Sequence, residues 1–346
     1  MSVSGGTPGR RLGMTVHPRD TSARTPTTVP AGHEAPSVMV RRPAAGGRGR
    51  LSKRSTAGEV LLAYLGAQAA RLGSLDLAVR RDKPDAVHQM RVTVRRLRAA
   101  LQSFTEVLRE QDTRQLRGEL KWLGGVLGAA RDTEVLAGQL HAGLAALPAE
   151  LVIGPAQARV TAHFAPQEAS TRQEVLDALD SQRYRDLRAA LARLLSAAPL
   201  TSAAAEPAAR VLPGAVARAY RRTSRRMRRA RRAPAGQARD VALHEARKAA
   251  KRARYAAEAT APGLGKKRSG KARRLARRMK DMQSVLGAHQ DAVIARTAAR
   301  EIGVRAHLAG ESAFSFGLLY ERAHHQVLAC QRESRRAWRR ARKARP

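Results

Sequence analysis

Two runs of cations, each led by a histidine, carry the residue types in this chain that could do chemistry. His88 is followed by Arg91, Arg95, Arg96 and Arg98, and His244 by Arg247, Lys251, Arg252 and Arg254, so the two runs keep the same offsets. On an α-helix, offsets of 0, 3, 7 and 10 fall within an arc of roughly 80°. Each run is therefore a cationic ridge on one helix face. Like charges three and four residues apart destabilise a helix by a few tenths of a kcal/mol per pair, and guanidinium forks match the paired oxygens of phosphate or carboxylate. The chemistry on offer is electrostatic capture of an anion, which would offset the repulsion. A single helical histidine more commonly packs or hydrogen-bonds within a fold, so His88 and His244 rank below the arginines.

Catalytic chemistry finds less support. Asp132 and Asp291 have the type of a general base or a Mg²⁺ ligand. Each follows a glycine-containing break, at an expected helix start where an acid complements the dipole, so the structural role is preferred. His324 and His325 are adjacent, about 100° apart on a helix, and make poor joint metal ligands. No Walker loop, dinucleotide-binding glycine motif or His-Glu-x-x-His helix occurs. Catalysis needs groups of opposed protonation preference on one site, and the ridges supply almost only cations. The chain is read as a binding protein, not an enzyme, with no cofactor and no metal.

The elements that position these residues are helical throughout. The chain has 346 residues, 43% of them hydrophobic, enough for a substantial core. Its 66 Lys and Arg against 28 Asp and Glu give a formal charge of +38, which points to an anionic partner such as nucleic acid, a membrane surface or a polymeric phosphate. Aromatic residues make up only 3%, too few for recognition by base stacking. Cys330 is the single cysteine, which fits a reducing compartment. Neither a signal-type apolar run in the first fifty residues nor a run of about 18 apolar residues is found, so a cytoplasmic location is expected.

Residues 1–50, rich in Gly, Pro, Ser, Thr and Arg, are expected to be a disordered basic tail. Helical periodicity then predicts helices over 57–80, about 84–110, 113–128, 130–147 and 168–196. A connection is read at 197–213, followed by helices near 214–232, 238–261, 267–287, 289–302 and 311–342. On the second helix Met90, Val94, Leu97, Leu101, Phe104 and Leu108 form an apolar stripe beside the cationic ridge. The repeat has a second anchor: Lys121 through Gly128 with Asp132 parallels Lys280 through Gly287 with Asp291. Two matches at nearly constant separation indicate a tandem duplication, with a first half at about 51–196 and a second at about 214–343.

At VHQMRVTVRRLRAAL (87–101), LHEARKAAKRARYAAE (243–258), VLGAARDTEVL (126–136) and VLGAHQDAVIA (285–295), the sequence resembles the CHAD family, the conserved histidine α-helical domain. The likeness covers about 51–343. It implies an all-α fold of two four-helix bundles related by pseudo-two-fold symmetry, with a basic surface that binds inorganic polyphosphate. Carried over by position, it assigns His88, Arg91, Arg95, Arg96 and Arg98 to one half of that site. It assigns His244, Arg247, Lys248, Lys251, Arg252 and Arg254 to the other, with Lys121 and Lys280 as weaker candidates. Ala130-Arg131 departs from its counterpart His289-Gln290, and the second ridge helix is unusually rich in alanine. The Glu-x-Glu-x-Lys strand of the triphosphate-processing domain that often accompanies the family is not seen, so that enzymatic part is not expected. Association with polyphosphate granules would follow from such a ligand. The alternative is a sequence-neutral DNA or RNA binder using the basic runs 221–232 and 332–345, outside the ridges.

Overall fold

Thr56 begins the first helix with a reciprocal cap: its hydroxyl accepts from the Glu59 amide at 3.2 Å, and the Glu59 carboxylate accepts from the Thr56 amide at 2.9 Å. From it runs α1 (Ala57–Arg80). Then follow α2 (Ala86–Ser103), α3 (Glu110–Ala145), α4 (Ala156–Asp180), α5 (Gln182–Ser196), α6 (Ala208–Arg232), α7 (Gln237–Thr260), α8 (Lys266–Leu308) and α9 (Phe314–Arg342). The computed structural model describes residues 51–345, and no strand occurs among them. The chain is all-α, as its periodicity predicts. The tail expected over 1–50 lies outside the described residues.

Several helix boundaries differ from the sequence reading, the start of α4 at Ala156 instead of 168 among them. The predicted pairs 113–128 with 130–147, and 267–287 with 289–302, are single long helices, α3 and α8. Glycine inside a helix costs roughly 0.5–1 kcal/mol relative to alanine, but the buried Leu120, Leu123 and Leu127 of α3 and Met279, Met282 and Leu286 of α8 offset it. The predicted helix 168–196 is divided at Ser181. Its extended backbone ends α4, and its hydroxyl accepts from the Tyr184 amide at 3.2 Å to cap α5. The second helix stops at Ser103, and the Arg109 amide donates to the Pro199 carbonyl at 2.9 Å. Finally, α6 starts at Ala208 and runs through Pro213, inside the expected connection. Pro213 cannot donate to the Ala209 carbonyl four residues back, and Arg268 of α8 donates to that oxygen instead, at 3.1 Å.

Equivalent helices of the two halves meet in pairs: α1 packs on α6, α2 on α7 and α3 on α8. The main core gathers Leu61, Leu65 and Leu72 of α1, Met90, Val94, Leu97 and Leu101 of α2 with Phe104 and Leu108 just beyond it, and Leu275, Met279 and Met282 of α8. The alanines of α7, among them Ala246, Ala250, Ala253 and Ala257, are buried in it. Helix spacing depends on the side chains at the contact, so the alanine-rich sequence lets the second ridge helix pack closely. A second cluster joins Leu140 and Leu144 of α3, Val160 and Phe164 of α4, Ile302 of α8, and Phe316 and Leu319 of α9. Together the α2–α7 contact and this cluster hold the halves around the space between the ridges.

Candidate polyanion-binding cavity

That space is a cavity of about 1840 Å³, larger than the roughly 300–1,000 Å³ of small-molecule sites. Because α2 and α7 bury their apolar stripes in the core, the adjacent ridges are turned to the cavity wall. His88, Arg91, Arg95, Arg96 and Arg98 line it from the first half. From the second half come His244, Arg247, Lys248, Lys251, Arg252 and Arg254, with Lys280 of α8. Lys121, in the register of Lys280, is exposed on α3 and does not line the cavity. Twelve of the thirteen residues singled out by sequence thus converge on one space.

The two long helices make room for the leading arginine of each ridge. A Cβ on Gly128 would stand 3.5 Å from Arg91 Nη2, and one on Gly287 3.5 Å from Arg247 Nη2. Each guanidinium therefore lies against bare helix backbone. Arg91 also holds Asp132, Nη1 to Oδ1 at 2.7 Å and Nη2 to Oδ2 at 3.2 Å. Asp132 and Asp291 are not at helix starts: both sit inside long helices and line the cavity. Their expected capping role is replaced by a place among the cations, and burial pushes the Asp291 carboxyl up.

Glu258 of α7 ties the halves together, accepting from Arg254 at 2.6 Å and from Arg96 at 3.4 Å. The same two guanidiniums approach the Tyr255 ring, 5.8 Å from its centroid for Arg96 and 5.6 Å for Arg254. Other donors are free. Nε of Arg95, Arg96, Arg98 and Arg247 is buried without a hydrogen-bond partner, an arrangement costing about 1–3 kcal/mol per group until an acceptor arrives.

Burial and mutual repulsion act on the titrating groups. Lys251 is pushed down to about 6, first by burial and then by Arg247, Arg95 and Arg91. Burial also pulls Arg95, Arg98 and Arg252 down from the usual arginine range. His88 and His244 lie below the ordinary histidine value, again chiefly through burial. His244 Nδ1 is 2.8 Å from Gln290 Oε1, whereas Arg131, in the place of Gln290, adds repulsion at His88. The departure at 130–131 thus lies in the cavity itself. An anion entering this space would meet desolvated positive charge and unpaired donors from both halves.

Sequence reasoning missed several lining cations: Arg71 of α1, Arg131 of α3, Arg222 and Arg226 of α6, and Arg322 of α9. The run 221–232, expected outside the ridges, thus contributes two arginines to the cavity. Their spacing of four was a signal, masked by the arginines on either side.

A CHAD domain family model matches residues 63–300. The Mycobacterium tuberculosis proteins MT2285 (strain CDC 1551 / Oshkosh) and Rv2226 (strain ATCC 25618 / H37Rv), both designated uncharacterized, are each 37% identical over 286 residues. These residues are 80% of this chain and 53% of theirs, so the chain spans about half the length of the curated relatives it matches. Among solved structures, the CHAD domain from the plant Ricinus communis superposes with a TM-score of 0.66 at 26% identity, covering 87% of this chain and 97% of that one. PptA from Streptomyces chartreusis superposes with a TM-score of 0.69 at 24% identity, over 82% of this chain and 100% of that one, a likeness of fold.

Proposed function

As the chain belongs to the CHAD family, we propose that it binds inorganic polyphosphate in the cavity between its halves and does not cleave it. One observation carries this reading: the cations of both repeats converge on a single cavity, with buried guanidinium donors left without acceptors. A phosphate chain offers a negative charge and several acceptor oxygens at every link. It can therefore satisfy Arg91, Arg95, Arg98, Arg247 and Arg252 in succession through guanidinium forks. Lys248 and Lys280 act as point charges, and Arg96 and Arg254, steadied by Glu258 and Tyr255, provide the join between halves. The cavity carboxylates Asp132 and Asp291 are set among arginines, an arrangement suited to holding an anion rather than to proton transfer. Among the described residues no helix is long and apolar enough to cross a membrane, and a cytoplasmic place at polyphosphate granules suits the ligand.

Binding of long-chain polyphosphate at stepped salt concentrations tests the mechanism. The affinity is expected to fall steeply, since each neutralised phosphate releases counterions. An affinity that stays flat between 50 and 200 mM salt, a range over which phosphate contacts lose orders of magnitude, would contradict it.

A further inference from the structure

The positive charge is divided unevenly between the halves. In the first, α3 carries five acidic against four basic residues, and α4 four against two. In the second, α6 carries ten arginines and no acid, and residues 266–280 of α8 carry nine cations and no acid. Residues 331–342 of α9 add six arginines against Glu333. Only Arg222, Arg226 and Lys280 of these line the cavity.

Six of the remainder stand on the outer sides of α6, α8 and α9. Tyr220 of α6 stacks on Trp338 of α9 with ring centroids 5.9 Å apart, which brings those helices together at that point, and α9 packs along α8. By helical spacing, Arg221 and Arg228 lie together on one side of Tyr220 on α6, and Arg335 and Arg339 lie together on one side of Trp338 on α9. Lys271 lies on the side of α8 opposite Lys280 and Asp291, with Arg274 about 60° from it. All six are exposed, and none has an ion-pair partner among the described residues.

The kind of partner follows from what this face has and lacks. Its exposed side chains are cations, whereas the large exposed apolar residues, such as Leu77, Val241, Leu308 and Phe314, all lie outside these segments. Insertion into a lipid surface needs apolar side chains to bury, and the face supplies none. Stacking on single-stranded bases needs exposed aromatic rings, but Trp338 is buried and Tyr220 partly so. These cations spread over three helices instead of lying along one line. Such a spread is broader than one phosphate thread needs, and it suits the two phosphate rows that bound a duplex groove.

We infer that the outer face of α6, α9 and the first half of α8 docks double-stranded nucleic acid through its phosphate backbone, without reading sequence, at a surface separate from the cavity. This inference does not depend on what the cavity holds. One chain can then carry a short polyanion inside and a duplex outside at the same time.

The test uses the full chain, a labelled DNA duplex and a short labelled polyphosphate. Duplex binding by fluorescence anisotropy is compared for the wild type, an outer-face variant (Arg221→Gln/Arg228→Gln/Arg335→Gln/Arg339→Gln/Lys271→Gln/Arg274→Gln) and a cavity variant (Arg91→Ala/Arg247→Ala). The outer-face variant is expected to lose tenfold or more in duplex affinity while keeping its affinity for the short polyphosphate within twofold. Its salt slope should shrink by about 0.9 for each phosphate contact removed. The cavity variant should show the reverse loss, and saturating short polyphosphate should leave the duplex bound. Because neutralising repelling arginines does not threaten folding, circular dichroism should give all three chains the same helix content. Wild-type duplex affinity in the outer-face variant overturns the inference. So does displacement of the duplex by the short polyphosphate, or binding to phosphatidylglycerol vesicles with the duplex ignored.

Discussion

Arg91 is held by Asp132 through both of its terminal nitrogens, at 2.7 and 3.2 Å. Arg247 and Asp291 repeat that pair in sequence but form no ion pair among the described residues, and Arg247 Nε is buried without a partner. A carboxylate seated in a guanidinium fork competes with phosphate for the same donors. Asp132→Asn is therefore expected to tighten polyphosphate binding about two- to fivefold, on the order of 0.5–1 kcal/mol for a partly exposed pair. Titration calorimetry measures this directly, and weaker binding by the variant would show that Asp132 positions Arg91 rather than competing for it.

Binding is expected to take up protons. Lys251, at about 6 in the anion-free chain, and His88 and His244, both below the ordinary histidine value, regain charge when phosphate lies beside them. Affinity should thus rise as pH falls from 8 toward 6, with the lysine's share levelling off below about 6. Calorimetry in two buffers of different ionisation enthalpy reads the proton uptake, and zero uptake contradicts the account.

The same shift has an opposite consequence for the empty protein. A lysine depressed in the folded state binds its proton more readily when unfolded, so stability rises with pH from about 6 toward the ordinary lysine range and is level below. Lys251→Met should therefore raise the anion-free Tm at pH 7 while weakening polyphosphate binding. A lower Tm would mean that Lys251 makes a stabilising contact its surroundings do not suggest.

Gly128 and Gly287 give a steric prediction. A Cβ at either would make only ordinary contact with the neighbouring guanidinium, so alanine should be tolerated and should add roughly 0.5–1 kcal/mol of stability as a better helix former. Leucine would push Arg91 and Arg247 off the helix. Gly128→Leu/Gly287→Leu is expected to lose tenfold or more in affinity, about 1.4 kcal/mol, with the helical circular dichroism unchanged. Undiminished binding would free these glycines of any part in the site.

The ridges were legible because they are local. The offsets from His88 to Arg98 and from His244 to Arg254 fix a helix face without any tertiary information, and the apolar stripe beside them says which way that face turns. The role of Asp132 and Asp291 was not legible, since it hangs on whether the helix continues through Gly124, Gly125 and Gly128. Local propensity favours a break there, and the burial of Leu120, Leu123 and Leu127 overrides it. The division at Ser181 was hidden for the opposite reason: a good helical pattern on both sides concealed a single capping residue. Arg71 and Arg322 could not be found from sequence at all, because only the packing of α1 and α9 brings them to the cavity.

The central claim is that the two ridges act as one polyphosphate site, and a competition titration at physiological salt tests it most directly. Labelled short polyphosphate is bound to the wild type and to Arg91→Ala/Arg95→Ala/Arg247→Ala/Lys251→Ala, then challenged with unlabelled polyphosphate and with duplex DNA. The account predicts that unlabelled polyphosphate competes at least tenfold better than DNA, worth about 1.4 kcal/mol, and that the fourfold variant loses this advantage. Equal competition by DNA, with the variant binding like the wild type, would show the ridges to be solvated faces and contradict the account.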